Sequence, residues 1–301
     1  MNMTRKVIQL AGKTLLVSLP SKWAKNHNIR KGDDIEVEEK SNMLLVKSLS
    51  EVSLDKITVN MVGQSRTTIG WALSALYKSG YDEIELMMDF DKMKIVHELV
   101  RDLFVGFAVT EQSRNRCLIR SIAKDSSAEF DQVLRRAFLV TISLAESLAE
   151  HLTSNKISGD LLELEKTNNQ LTNFCERVLI KSGFSQYRKT CFSYVIIWNL
   201  EKICDDYKYL IEVLLSQKQP PKNLVAAVEK SSEILRAYYN LYYKFNLSTL
   251  NSLVETLQAV KDDIEDQITK SPPQSRLAFS ILHSQIIKMS DLSASFVAIN
   301  L

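Results

Sequence analysis

The sequence predicts a multidomain chain in three sections: a small all-β head at 1–48, a small α/β domain at 49–125 and an all-α tail at 126–301. Three observations support this. Before residue 48, short apolar runs are separated by turn residues. Between 54 and 122, strand-like and helix-like apolar periods alternate. From Ser126 onward the apolar residues recur at helical spacing over long runs, broken at Ser158-Gly159, Pro220-Pro221 and Pro272-Pro273. A chain of 301 residues has room for such a division. With 45% hydrophobic and 25% charged residues it has the balance of a soluble globular protein.

In the head, RKVIQL (5–10) and TLLVSL (14–19) read as strands joined at Ala11-Gly12-Lys13, with Leu15, Val17 and Leu19 on one face. Pro20 ends the second strand because it lacks a ladder N–H. Ser21 is expected to cap a short helix from Lys22 to about Asn28, with Trp23 and Ala24 facing inward. Gly32 suits a turn that needs positive φ. DIEVE (34–38) and MLLVKS (43–48) then form two more strands around a Ser41-Asn42 turn. So small a unit buries little alone, and a second copy would cover its edges.

Charge is unevenly placed. The chain carries 38 Lys+Arg and 36 Asp+Glu, yet residues 1–31 hold Arg5, Lys6, Lys13, Lys22, Lys25, Arg30 and Lys31 with no acid among them. Such a cluster either solvates a half-buried hairpin or meets an anion. The string GKTLLVSLPSKWAKNHNIRKGDDIEV resembles the swapped-hairpin AbrB/SpoVT/MazE family of dimeric DNA-binding domains. The resemblance rests on the hVSLP strand end, the short tryptophan-bearing helix and the hxxGDxh opening of the next strand, over about 45 residues. It implies two chains interleaving their hairpins, with DNA held by those seven basic residues.

The middle section reads as strand 54–62, a helix capped by Ser65 and ended by Gly80, strand 82–88, helix 92–104, and a hairpin of 106–112 with 116–122. It contains no Gly-rich phosphate loop and no nucleophile motif. His97 lies near an apolar stripe, as a packing or surface residue.

Six helices are expected in the tail, at about 127–153, 158–182, 187–217, 222–247, 249–270 and 273–299. They form two runs of three, about 126–218 and 219–301, which suggests an internal duplication. In VIIWNLEKICDDYKYLIEVL (195–214), Ile197, Leu200, Cys204, Tyr207 and Ile211 make a buried stripe flanked by Glu201 and Asp205, one turn apart. Glu165 and Asn169 repeat that spacing on the preceding helix. The four side chains either bind a divalent cation (Mg, Mn, Zn or Fe) or stand as solvated acids beside a core. No ExxH occurs anywhere, which disfavours a ferritin-like di-iron site.

LEKICDD resembles the E(D)xxxD motif of the PhoU family of phosphate-uptake regulators, tandem three-helix bundles that can hold metal clusters. On this resemblance Glu201 and Asp205 are the first site. The second repeat keeps Asp291 but has Ile287 where the glutamate belongs, and Asp262 and Asp266 align only loosely. Together with LSALYKSGYDEI (73–84), the whole chain resembles archaeal phosphate-uptake regulator homologues with an AbrB-like head.

The expected function is a homodimeric transcription regulator whose head holds DNA and whose helices receive phosphate status through an ion or a partner. The alternative is an adaptor that no longer reads DNA and acts on a phosphate transporter or kinase. A metal-dependent hydrolase is a third reading that lacks a nucleophile and a phosphate cradle. No catalytic residue and no certain cofactor are expected. Cys117, Cys175, Cys191 and Cys204 form no CxxC pair, no secretory signal is recognisable, and no apolar run is long enough to span a membrane. The expected location is therefore the cytoplasm.

Overall fold

A computed structural model describes residues 4–40, 43–48, 55–123, 129–183, 187–217, 219–221 and 223–301. The expected turn at Ser41-Asn42 and residues 54, 127, 128 and 222 of the expected elements lie outside that set. The chain divides into two compact units, Met1–Asp55 and Lys56–Leu301.

The first unit holds β1 (Ile8–Leu10) paired antiparallel with β2 (Thr14–Leu16), helix α1 (Ser21–Asn26), and β3 (Ile35–Lys40) paired antiparallel with β4 (Met43–Ser48). The two hairpins are separate two-stranded sheets. Gly32 has φ of +97°, as its turn requires. The helix starts one residue earlier than expected. Pro20 takes the N-cap position with no side-chain cap, and Ser21 is already helical. Proline fixes φ in a range compatible with a helix entry, so the hydroxyl is not needed there.

The second unit begins with β5 (Lys56–Asn60), α2 (Arg66–Lys78), β6 (Glu83–Met87), α3 (Met93–Leu103), β7 (Phe107–Gln112) and β8 (Arg116–Ser121). The sheet order is β5-β6-β8-β7, with only β5 and β6 parallel. Ser65 accepts the Thr68 N–H and caps α2, and Gly80 closes it at φ of +93°. Ile84 and Leu86 point into a core with Ile69, Leu73, Val96 and Val100. The other sheet face carries charge instead. Glu83 stands opposite both Lys56 and Arg120 and pairs with each, at 3.2 and 2.7 Å. Opposite charges at cross-strand positions stabilise the pairing and keep that face wet.

Six helices follow: α4 (Phe130–Thr153), α5 (Leu162–Lys181), α6 (Tyr187–Leu215), α7 (Leu224–Tyr243), α8 (Leu247–Lys270) and α9 (Pro273–Asn300). Asn246 caps α8 through the Thr249 N–H, and Pro273 occupies the first turn of α9. Both sets of three helices contribute to a single core, with α6 packed on α9 and α4 on α7. The stripe Ile197, Leu200, Cys204, Tyr207 and Ile211 is fully buried in it. Each such aliphatic side chain contributes about 1.5–3 kcal/mol by leaving water.

Helix α5 joins the α/β section to the bundle through a row of polar side chains on one face. Gln170 donates to the Arg101 carbonyl and Asn173 to the Leu103 carbonyl, both in the last turn of α3. Arg177, with no exposure, donates to the carbonyls of Tyr77 and Tyr81 and to Asp82 Oδ1 at 2.6 Å. Its guanidinium lies over the rings of Tyr77 and Phe107. Lys181 reaches the same Asp82 oxygen. Carbonyls at helix C-termini attract such donors: those of Arg101 and Leu103 lie in the last turn of α3, and that of Tyr77, in the last turn of α2, also accepts from the Gly80 N–H.

Candidate nucleic-acid interface and a charged groove

The seven basic residues of the head are all exposed, and none is ion-paired among the described residues. Arg5 and Lys6 precede β1, Lys13 sits in the β1–β2 turn, Lys22 and Lys25 share a face of α1, and Arg30 and Lys31 lie in the turn before β3. Trp23 is half-buried against His27, with ring centres 5.1 Å apart. The first carboxylate, Asp33, accepts from the Arg30 backbone N–H, so it shapes the turn without neutralising the Arg30 side chain. No described residue of this unit is buried. Val7, Ile8, Leu10, Leu15, Leu16 and Val17 are between 44% and 69% exposed. An apolar surface this complete is what an interaction site leaves bare.

The acids expected to bind metal lie on α5 and α6, beside a groove of about 850 Å³ that α2 closes on its other side. Asn169, Glu201 and Asp205 line it, and Glu165 lies behind them, 4% exposed. Ammonium groups occupy the positions a cation would need. Lys208 Nζ is 2.9 Å from Glu165 Oε1 and 4.0 Å from Asp205 Oδ1. Lys202 Nζ donates to Asp205 Oδ2 at 3.0 Å and lies 2.8 Å from Glu201 Oε2 without hydrogen-bond alignment. Asn169 turns its amide nitrogen, not its oxygen, to Glu165. As arranged, the donor set does not fit a divalent ion, and among the described residues no group of three or more His, Cys, Asp or Glu converges as a metal site. Asp291 lies on α9 beside a smaller groove, with Ile287 and Lys261.

Three features of the groove were missed by the sequence reading. Lys78 of α2 reaches across to Glu176 of α5, at 2.9 Å with Glu176 buried. Lys78 and Lys202 both stand over the Trp198 ring, 4.9 and 5.2 Å from its centre. Trp71 of α2 projects with 73% of its surface exposed. The signal available in the sequence was the spacing Lys202, Asp205, Lys208, three apart on one helix.

The electrostatics follow from depth. Burial pushes the Glu201 carboxyl above its ordinary value, with Asp205 adding to the shift. Burial likewise raises Glu176. For Lys202 burial works against the charge, but the Glu201 and Asp205 carboxylates outweigh it and hold the ammonium well above its ordinary value. Glu165 does the same for Lys208. Elsewhere, burial raises the Cys117 thiol to about 11, as befits a core residue. His97, exposed, pairs with Gln112. Among the described residues no helix is long and apolar enough to cross a membrane.

No curated protein and no solved structure gives a significant match to the chain. Residues 8–52, which span both hairpins and α1, match the family described as antidote-toxin recognition MazE, bacterial antitoxin, so the head carries a MazE-like domain.

Proposed function

We propose that the protein is a homodimeric DNA-binding transcription regulator, with its head on DNA and its helical part receiving a signal. The observation that carries this reading is the MazE-like head with seven exposed cations that are unpaired among the described residues, none of which is buried in this unit. A second copy would cover the bare apolar strands and double the positive charge presented to phosphates. Lysine and arginine that neutralise phosphates release counterions, which makes binding fall steeply with salt. The resemblance of LEKICDD to the PhoU motif supports phosphate status as the signal.

The test is fluorescence anisotropy on duplex DNA at several salt concentrations, comparing the native chain with Arg5, Lys6 and Lys13 changed together to Ala. The expected outcome is weaker binding with a salt slope shallower by about 0.9 for each phosphate contact removed. A base-reading arginine among them would add about 1–3 kcal/mol of sequence-dependent loss. Unchanged affinity and slope would count against this surface and shift attention to Lys22 and Lys25.

A further inference from the structure

The groove between α2 and α6 is layered by charge. Its carboxylates lie deeper, with the Glu165, Asp205 and Glu201 side chains 5%, 13% and 20% exposed, whereas those of Lys202 and Lys208 are 35% and 31% exposed. An arriving molecule meets the ammonium groups first. Each ammonium has three N–H donors. Among the described residues Lys202 hydrogen-bonds Asp205 and also lies 2.8 Å from Glu201, and Lys208 hydrogen-bonds Glu165. Donors therefore remain on both, and the acids beneath keep the lysines in place and charged.

The groove also offers an aromatic platform. The Trp198 ring is already covered by Lys78 and Lys202, but Trp71 on the facing helix has no ring or cation partner among the described residues and is mostly exposed. Inorganic phosphate would use the lysines and leave the indole bare. An apolar ligand would do the reverse. A volume of about 850 Å³ falls in the range of small-molecule sites and is small for a docked helix. We infer that this groove binds a nucleotide, its phosphates on Lys202 and Lys208 and its base stacked on Trp71. Stacking on an indole tolerates any base, so the identity of the base is for the titration to decide.

The inference does not rest on DNA binding by the head. The experiment is calorimetric titration of the full chain with AMP, GMP, CMP, UMP and ATP, and separately with adenosine, inorganic phosphate and Mg²⁺ alone. At least one nucleotide is expected to bind, with the matching nucleoside and inorganic phosphate each weaker by about tenfold or more. Lys202→Gln with Lys208→Gln should lower nucleotide affinity by about tenfold or more. Circular dichroism melting verifies that this pair is folded. Trp71→Ala, at an exposed position, should weaken nucleotide binding and leave phosphate binding unchanged. The variant with Arg5, Lys6 and Lys13 changed to Ala should bind nucleotide normally. Absence of binding by every nucleotide at millimolar concentration would overturn the inference. So would equal affinity in Trp71→Ala, or loss of binding in the head variant, which would put the nucleotide on the head. Heat with Mg²⁺ alone that disappears in Asp205→Asn and ignores Trp71→Ala would assign the groove to a cation instead.

Discussion

The two units solve the problem of burial in opposite ways. The head has apolar residues on both strands of its first hairpin and buries none of them. The larger unit buries whole stripes of α4 to α9 and even closes an arginine inside. One unit is specified by what it awaits, the other by what it already contains. The difference bears on stability: internal packing and satisfied polar groups supply it in the larger unit, and the proposed dimer would supply it to the head by association.

The largest test of that contrast is to separate them. A fragment of residues 1–55 should unfold on dilution, with a melting temperature that rises with concentration, whereas 56–301 should melt independently of concentration. Sedimentation of 1–55 as a folded monomer at micromolar concentration would sink the dimer reading. Within the full chain, Leu15→Asp on the bare face should abolish association and DNA binding while leaving the helical circular dichroism signal intact.

The next effect lies inside the larger unit. Arg177→Met leaves Asp82 and two carbonyls without their buried donor, and Lys181 remains for Asp82 alone. Breaking one side of a buried ion pair costs about 3–5 kcal/mol. Urea unfolding of 56–301 followed at 222 nm should register that loss. A cost below about 1 kcal/mol would make this staple dispensable and leave the junction to apolar packing and the other polar side chains of α5.

How much of this was legible beforehand depends on range. Elements set by local rules were readable: the Ser65 cap, the Gly80 stop, the Pro273 start and the α6 stripe follow from residues within a turn or two of each other. The Ser21 cap was misread because a proline beside it already fixed the chain for entry. The Arg177–Asp82 staple was not legible, because its partners are 95 residues apart and a polar helix face looks the same whether water or another helix covers it. The groove acids were found, but the lysines that claim them were not, although Lys202 and Lys208 stand one turn from Asp205 on the same helix. Lys78, which answers Glu176 from α2, is beyond the reach of spacing, which shows only the residues that share a face.

The smallest expected effect concerns pH. Burial and Asp205 raise the Glu201 carboxyl above its ordinary 4.5. Between that value and the raised one, the folded chain keeps a proton that the unfolded chain releases. Stability therefore falls as pH rises through this window and stays lower above it. Glu201→Gln removes the titrating carboxyl and its charge, so the variant should gain melting temperature relative to the native chain at pH 8 and lose that advantage near pH 4. Glu83 on the open sheet face has the opposite sign. Arg120 holds its carboxyl low, so its contribution is present at neutral pH and fades as pH falls through the lowered value. Thermal melts of Glu201→Gln and Glu83→Gln across pH should slope in opposite directions relative to the native chain.

The polar row on α5 has a consequence for synthesis. The carbonyls it satisfies belong to residues made 69 to 100 positions earlier. At roughly 5–20 residues per second, the ends of α2 and α3 wait about 3–20 s for their donors to be made. During that interval the α/β section is out of the tunnel but unfinished. Nascent chains arrested once residue 125 has left the tunnel should be cut by protease within α2 and α3, and chains arrested after α5 has emerged should resist.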